Sequence, residues 1–233
     1  MIAIISDVHG NLPALRAVLK DIEKYNVNKI ISLGDVAGYY PFVDECISLF
    51  RENNIVNLMG NHDFYLVSGL GCPRSKSVNE LSKVFERTIS PESMSYLEAS
   101  RICLREGDAI MVHAGFNNPI DEYLYSLSDA YFNKFNFKYF FSGHTHVQHL
   151  ELFDNGQLYC NPGSVGQPRD GITTASYALF NQSSSEVALK RVAYDPSSVI
   201  LKLKEEGFSE HYYKNLLNGS RIGGKIDKTE RKT

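Results

Sequence analysis

The chain has 233 residues, enough for one substantial hydrophobic core or two small ones at most. Charged residues make up 22% and apolar residues 43% of the sequence, the balance of an ordinary soluble globular protein. The formal net charge of −3 provides no overall attraction to nucleic acid or to an anionic membrane, so polymer substrates are disfavoured, although a local basic groove would remain compatible with it.

Neither the cysteines nor the N-terminus indicates an oxidising or membrane environment. The four cysteines show no C-x-x-C spacing, which predicts reduced and mostly buried side chains at Cys46, Cys72, Cys103 and Cys160. The first residues lack the basic segment and long apolar run of a signal peptide, and no stretch approaches the ~18 apolar residues of a membrane-spanning helix. We therefore expect a cytoplasmic protein without a membrane partner.

The first 35 residues predict a βαβ unit. Residues 2–6 form an apolar run, Asn11 and Pro13 are typical of a helix start, and apolar side chains then recur at helical spacing to Ile22. A second apolar run follows at residues 30–33, and the two strands should be parallel with a right-handed crossover. A further helix over about 43–50 and a strand at 55–59 repeat the pattern.

The middle of the chain is less regular. Residues 64–107 begin as a loop rich in glycine and polar residues, followed by a helical stretch, and a segment in this position often forms part of a substrate rim. Arg74 and Lys76 could contact phosphate there, although two solvated loop cations are the simpler interpretation. Residues 117–137, rich in tyrosine and phenylalanine, predict a short helix under a long loop.

The second half predicts mainly antiparallel strands on the same core. The Asn155-Gly156 pair between apolar runs predicts a hairpin of residues 147–153 and 157–160, and two further strands are expected at 176–180 and 186–194. A helix from Pro196 to Gly207 and another over 209–217 would complete a single domain of residues 1–218. Residues 219–233 contain two glycine clusters and scattered lysines, which predicts a flexible tail without a function.

Five apolar runs end in short motifs that contain Asp, Asn or His, and these motifs hold five of the seven histidines. The motifs are Asp7-Val8-His9-Gly10, Gly34-Asp35-Val36-Ala37-Gly38, Gly60-Asn61-His62-Asp63, His113-Ala114-Gly115 and Gly143-His144-Thr145-His146. Ligands of open α/β sheets bind at the carboxyl ends of the strands, so we interpret the five motifs as one metal site.

The donor set favours two transition-metal ions. Seven candidate ligands are available: Asp7, His9, Asp35, Asn61, His113, His144 and His146. Mixed oxygen and imidazole donors suit Mn, Fe, Zn or Co better than an all-oxygen Mg or Ca site. Seven ligands suit two ions about 3.5–4 Å apart that share one carboxylate, and Asp35 is the expected bridge. Such a pair predicts phosphoester hydrolysis by attack of a metal-bridging hydroxide, without a covalent intermediate.

His62 is the candidate general acid. It follows Asn61 and could donate a proton to the leaving oxygen near neutral pH, while Asp63 could orient its ring and raise its basicity. A histidine in a turn is otherwise usually a hydrogen-bonded surface residue, which is the alternative interpretation. His149 and His211 lie outside any motif, and we expect no role for them.

The motifs D-x-H, G-D-x-x-G, G-N-H-D, H-A-G and G-H-T-H, in this order, resemble the calcineurin-like metallophosphoesterase superfamily. The resemblance covers about residues 1–194, and within the superfamily the chain looks like the small prokaryotic phosphodiesterase-type members. It implies an α/β fold, or α+β by some schemes, in which a two-sheet β-sandwich is flanked by helices in four αββα layers.

The resemblance also implies roles for individual residues. One metal would be held by Asp7, His9, Asp35 and His146, the other by Asp35, Asn61, His113 and His144, with His62 as the acid or phosphate-binding histidine. No ligand position is missing, which disfavours the non-catalytic scaffold members of the superfamily. Residues 161–169 resemble the loop that such enzymes carry after the last histidine motif.

Two residues are substrate candidates under this resemblance. Arg169 could clamp a phosphate and Tyr39 could pack on a substrate ring, the alternative being a plain turn with a surface arginine. The expected function is hydrolysis of small phosphodiesters or phosphomonoesters, including nucleotides or dinucleoside polyphosphates. One alternative is a nuclease, which the slightly negative net charge disfavours because nucleic acid is then an unlikely partner. The other is a non-catalytic, metal-stabilised interaction module.

Overall fold

The computed structural model of the chain describes residues 1–87 and 89–232. The strands are β1 (Ile2–Ile5), β2 (Lys29–Ser32), β3 (Val56–Asn57), β4 (Cys103–Glu106), β5 (Ala109–Val112), β6 (Ser126–Leu127), β7 (Tyr139–Phe141), β8 (His149–Leu152), β9 (Leu158–Asn161), β10 (Ala175–Asn181), β11 (Glu186–Val192) and β12 (Glu230–Arg231). The helices are α1 (Leu12–Ile22), α2 (Val43–Glu52), α3 (Asn61–Ser68), α4 (Lys76–Phe85), α5 (Pro91–Glu98), α6 (Asp129–Phe132) and α7 (Ser197–Glu205).

Two five-stranded sheets form the centre of the fold, and both are mixed. The first has the order β11-β10-β1-β2-β3, in which β1, β2 and β3 are parallel and β10 and β11 antiparallel. The second has the order β4-β5-β7-β9-β8, in which β5, β7 and β9 are parallel and the two edge strands antiparallel. The predicted sandwich with flanking helices is confirmed.

Alternation along the strands builds the layers. On β1, Ala3 and Ile5 pack with α1 and α2 on the outer face, whereas Ile4 joins Phe180 of the first sheet and Phe141 of the second in the cluster between the two sheets. On the second sheet, Ile110 and Phe140 belong to an outer cluster with Phe132 of α6. The apolar core therefore lies on both sides of each sheet, which leaves the strand ends free for polar residues.

Several local predictions are confirmed. The βαβ unit is parallel, α1 begins after an Asn11 side chain that accepts from the Ala14 amide, and β8 and β9 form the predicted antiparallel hairpin around Gly156. The short helix expected within 117–137 is α6, of four residues. Among the described residues, none of the helices is long and apolar enough to span a membrane.

Other predictions are wrong in part or in whole. After the last histidine motif the expected antiparallel strands are confirmed for β8–β9, β10–β11 and β1–β10, whereas β9 also pairs in parallel with β7, which the sequence did not predict. The expected helix at 209–217 is two short 3-10 turns, and of the four free cysteines only Cys46 and Cys160 are buried.

The prediction of a flexible tail at residues 219–233 is also wrong. Residues 219–232 lie against the domain: β12 pairs with β6, and Ser220 and Asp227 are buried. Polar contacts rather than an apolar pattern hold this segment, which is why its composition suggested flexibility. Thr233 of the predicted tail and Thr88 of the irregular 64–107 stretch lie outside the described residues.

Candidate metal centre

The five strand-end motifs converge where the two sheets meet. Asp7 and His9 follow β1, Asp35 follows β2, His113 follows β5, and the segment with His144 and His146 follows β7. Asn61 begins α3 directly after the short connection from β3. All seven candidate ligands are buried, none of them more than 3% exposed. Titratable side chains at this depth require partners, since burial of an unpaired charge is costly.

Five of the candidate ligands have a left-handed backbone. The φ angles are 54° at Asp7, 51° at His9, 59° at Asp35, 63° at His144 and 60° at His146. Such conformations cost about 1–3 kcal/mol each in residues other than glycine and persist where the surrounding structure imposes them. Here the backbone amides of Asp7 and His9 donate to the carbonyls of Gly34 and Asp35, each at 3.0 Å. The two parallel strands thus fix each other's terminal loops.

Asp7, His9 and His146 form one triad with potential ligand atoms close together. The Nε2 atoms of His9 and His146 are 3.1 Å apart, and Asp7 Oδ1 lies 3.2 Å from His146 Nε2. The Nδ1 atoms of His9 and His146 each lie within 2.8 Å of a backbone carbonyl, of Ala37 and Gln167 respectively. A carbonyl can only accept, so both Nδ1 atoms are protonated and both Nε2 atoms offer a lone pair to the site.

Asp35, His113 and His144 form the second triad. His113 Nε2 lies 3.4 Å from Asp35 Oδ2, 3.2 Å from His144 Nδ1 and 3.0 Å from Asn61 Oδ1. Its Nδ1 donates to the Leu33 carbonyl at 3.1 Å, which again leaves Nε2 facing inward. The Asn61 amide oxygen therefore lies beside this triad.

Asp35 contacts both triads. Its Oδ2 atom lies 3.8 Å from His9 Nε2 and 3.4 Å from His113 Nε2, while its Oδ1 accepts the His62 amide at 2.8 Å. Within the described part of the chain, neither Asp35 Oδ2 nor Asp7 Oδ1 has a hydrogen-bond partner, although both are buried. Two buried, orphaned carboxylate oxygens that face clustered imidazole lone pairs fit the ligand set of divalent cations.

The electrostatics of the centre are dominated by burial and by mutual contacts. Burial opposes the charge on Asp35, but His113 and His62 outweigh it and hold the pKa of that carboxyl well below its usual range. Burial would lower the pKa of His113, but the Asp35 carboxylate outweighs it and raises that pKa to about 9. Burial keeps the pKa values of His9, His144 and His146 well below their usual range, so these rings are neutral and can act as ligands.

The predicted role of Asp63 as the partner of the His62 ring is wrong. Its Oδ2 accepts the backbone amides of Asp35 at 2.8 Å and of Gly60 at 3.2 Å, and its Oδ1 accepts the Ala37 amide at 2.9 Å. Burial and the nearby Asp35 raise the pKa of Asp63 to about 6. Asp63 thus holds the loop that carries Asp35 and is a positioning residue for the centre.

His62 lies at the edge of the centre, between two clefts. Its ring is 5.2 Å from that of His9 and 5.1 Å from that of Tyr39. One cleft, of about 270 Å³, also contains Tyr39 and Arg169. Arg169 is only 4% exposed, and its guanidinium donates to Gln167 Oε1 and to the Tyr39 hydroxyl. The structure thus brings all three sequence-predicted residues to the rim of the metal centre.

Three further residues of this cleft carry charge or an aromatic ring. Arg74, a candidate phosphate contact for which a solvated loop cation was the simpler interpretation, lies there with Tyr123 and Arg221. The Tyr123 ring packs against that of His144, with centroids 4.0 Å apart and the planes tilted by 32°. Its place in a tyrosine-rich loop was the only sequence signal for it, and nothing in the sequence singled out Arg221. Lys76 is the first residue of α4 and does not line this cleft. His149 and His211 lie outside the site, and His149 contacts Glu151.

Comparison with known proteins agrees with this site. The family model of the calcineurin-like phosphoesterase superfamily domain matches residues 1–185. A metallophosphoesterase from Sphaerobacter thermophilus has 34% identity and a TM-score of 0.81, with 94% of this chain and 98% of that chain covered. An uncharacterized protein of Methanocaldococcus jannaschii is 32% identical over 94% of this chain and 98% of its own length.

A more partial match is the symmetrical bis(5'-nucleosyl)-tetraphosphatase of Neisseria gonorrhoeae, 27% identical over 48% of this chain and 42% of the relative. Divalent-metal dependence is a property of the family, and the two triads provide the corresponding donors. On the family match and on these relatives, the chain belongs to the calcineurin-like phosphoesterase superfamily and is a phosphoric ester hydrolase.

Proposed function

We propose that the protein hydrolyses small phosphodiesters or phosphomonoesters with two divalent transition-metal ions. Asp7, His9 and His146 would hold one ion, Asn61, His113 and His144 the other, and Asp35 would bridge them. The observation that carries this proposal is the Asp35 Oδ2 atom, buried without a partner at 3.8 Å from His9 Nε2 and 3.4 Å from His113 Nε2. A carboxylate shared between two imidazole clusters is the expected feature of a two-metal site.

Activation of water would fall to the ions, and protein side chains would bind and orient the phosphate. When bound, two divalent ions lower the pKa of a water molecule and neutralise charge on phosphoryl oxygens. Arg169 would hold a further phosphate oxygen, since its guanidinium is fixed by Gln167 and Tyr39.

His62 would donate a proton to the leaving oxygen. Burial, and to a smaller extent Arg169, lower the pKa of His62, so its ring is neutral before substrate binds. An anionic phosphate beside the ring would favour the protonated form, which couples proton uptake to substrate binding.

A second cleft next to His62 would receive the organic group of the substrate. It has a volume of about 480 Å³, within the range of small-molecule pockets, and Tyr65, Cys72 and Val78 line it together with Glu86. Burial raises the pKa of Glu86 to about 7, so a neutral carboxyl group is available there near neutral pH. A cleft beside the proton donor favours substrates that carry a substituent on the leaving oxygen.

The comparisons are compatible with a nucleotide-derived substrate. The relative from Neisseria gonorrhoeae is named for bis(5'-nucleosyl) tetraphosphates, but it shares less than half of its length with this chain. We therefore include dinucleoside polyphosphates among the candidate substrates, alongside simple diesters and monoesters.

The test is hydrolysis of bis-p-nitrophenyl phosphate and p-nitrophenyl phosphate by protein loaded with Mn²⁺. We expect turnover that EDTA abolishes and added Mn²⁺ restores. His62→Ala should lower the rate by about 10²–10⁴-fold while the metal content stays unchanged. His149→Ala, which removes a histidine outside the site, is the matched control and should behave as wild type.

Activity that survives EDTA would contradict the metal-dependent mechanism. A His62→Ala variant as active as wild type would contradict the role of His62 alone. Binding of DNA or RNA with steep salt dependence, accompanied by cleavage, would instead identify a nuclease.

A further inference from the structure

The C-terminal segment, residues 219–232, is attached to the loop that carries Arg169. The Gly171 amide donates to the Gly219 carbonyl at 2.8 Å, and the Asp227 amide donates to the Arg169 carbonyl at 2.7 Å. Asp227 is only 4% exposed, although it is charged. The segment therefore has a defined position beside the cleft of about 270 Å³ described above.

Arg221 is the residue that this segment contributes to the cleft. Its guanidinium donates to the Asp227 carboxylate and to the Tyr125 hydroxyl, and its Cζ atom lies 5.8 Å from the centre of the Tyr123 ring. The arginine is thus held at both ends of its planar group, as a binding residue must be if it is to recognise an anion with little loss of side-chain entropy.

Two other arginines reach the same cleft from separate parts of the chain. Arg74 forms a two-pronged ion pair with Asp121, and its Cζ atom lies 5.3 Å from the centre of the Tyr123 ring. Arg169 donates only to neutral groups, and within the described residues no carboxylate lies at ion-pair distance from it. Arg74 and Arg221 are therefore paired with Asp121 and Asp227, whereas Arg169 has no carboxylate partner among the described residues and keeps its charge available for an anion.

The cleft is continuous with the candidate metal centre and small. Asn61 and His62 line it, and the Tyr123 ring packs against His144. Its volume of about 270 Å³ lies below the usual ~300–1,000 Å³ of pockets that enclose a complete small molecule. Three guanidinium groups from separate parts of the chain, gathered at one small cleft, fit linked phosphate groups better than a whole nucleotide.

We propose that Arg221, Arg169 and Arg74 form a subsite for the phosphates that follow the reacting one. The substrate class is then a compound with two or more linked phosphates, such as a nucleoside or dinucleoside polyphosphate, rather than a plain monoester. This inference rests on the proposed function, because the subsite is defined relative to the phosphate at the metal centre. The C-terminal segment is accordingly part of the substrate-binding surface.

The first test avoids both metal and turnover. Calorimetry on the full-length, metal-free protein would compare inorganic tripolyphosphate with inorganic phosphate. We expect tripolyphosphate to bind at least about tenfold more tightly, since it can contact more than one arginine. Arg221→Gln should weaken tripolyphosphate binding by about tenfold or more and phosphate binding by much less. Lys228→Gln removes an exposed charge from the same segment and should bind as wild type.

A second variant separates a direct contact from release of the segment. Arg74 lies outside the segment. Arg74→Gln should give the same loss of tripolyphosphate binding while hydrogen exchange in residues 219–232 stays unchanged. Arg221→Lys keeps the charge but not the planar fork, and should be intermediate.

The outcomes distinguish the two proposals. Equal binding of phosphate and tripolyphosphate, or wild-type binding by both Arg221→Gln and Arg74→Gln, would overturn the subsite even if the loaded enzyme hydrolyses simple diesters. Tight, arginine-dependent tripolyphosphate binding by a protein that shows no metal-dependent turnover would leave the subsite in place and overturn the proposed function.

Discussion

Replacement of Gly60 by alanine should displace the Asp35 carboxylate although no candidate ligand is itself replaced. A Cβ atom at Gly60 would lie 2.0 Å from Asp35 Oδ1 and 2.3 Å from the Asp35 amide nitrogen, whereas real Cβ contacts essentially never fall below 3.0 Å. Gly60 has a φ of −87°, which alanine adopts freely, so the steric contact is the whole perturbation. Either the carboxylate or the loop must move by about 1 Å or more.

The expected magnitudes follow from that displacement. A misplacement of about 1 Å in a catalytic constellation costs roughly 10²-fold in rate, and overpacking of a buried site costs about 1–3 kcal/mol of stability. We therefore expect Gly60→Ala to lower kcat/KM for bis-p-nitrophenyl phosphate about a hundredfold and to lower the metal affinity.

The control is a glycine variant that is destabilised without a contact to the site. Gly156, in the β8–β9 turn, has a φ of 82°, and a Cβ atom added there would meet only open space, so Gly156→Ala should cost about 1 kcal/mol through backbone strain only. Activity should be measured per metal-loaded molecule, with urea unfolding in parallel. A Gly60→Ala enzyme as active as Gly156→Ala would refute the placement of Asp35 between the triads.

Three further predictions concern Asp35, Glu86 and Asp227. Asp35→Asn keeps an acceptor for the His62 amide but lacks the inward-facing carboxylate oxygen, so elemental analysis should find fewer than two ions per chain; two ions would contradict the bridge. Because burial raises the pKa of Glu86 from 4.5 to about 7, its contribution to stability is present below pH 4.5 and is lost as the pH rises to about 7. Glu86→Gln should lack that loss, by roughly 1–3 kcal/mol in urea unfolding, and parallel pH profiles of the two proteins would argue against it. Asp227→Ala leaves Arg221 without its carboxylate, so hydrogen exchange in residues 219–232 should rise; unchanged protection would show that the pair does not hold the segment.

The strand-end motifs were predictable because local pattern and chemistry coincide there. Each apolar run has the length of a buried strand, and the Asp, Asn or His that follows must lie at the same edge of a parallel sheet. The sequence could therefore place Asp7 beside Asp35, whereas the meeting of His9 and His146, 137 positions apart and after strands of different sheets, also depends on how the two sheets pack. The sequence could not show whether Asp63 accepts from backbone amides or from the His62 ring, because the same short motif is compatible with both roles.

The pairing of the second sheet and the docking of the C-terminal segment were not predictable for a different reason. Whether β9 lies beside β7 depends on contacts between residues far apart in sequence, which periodicity does not encode. The segment with Arg221 and Asp227 carries no apolar stripe, because its position depends on a few buried polar contacts. Composition alone made it resemble an unstructured end.

The left-handed backbone at Asp7, His9, Asp35, His144 and His146 has a consequence for the evolution of this protein. At each of these positions glycine would relieve a conformational cost of about 1–3 kcal/mol. Loss of a ligand can therefore raise the free energy of unfolding rather than lower it. Selection for durability alone would then erode the centre, and only selection for turnover preserves it. Descendants freed from that demand would be robust, well-folded proteins with their chemistry gone.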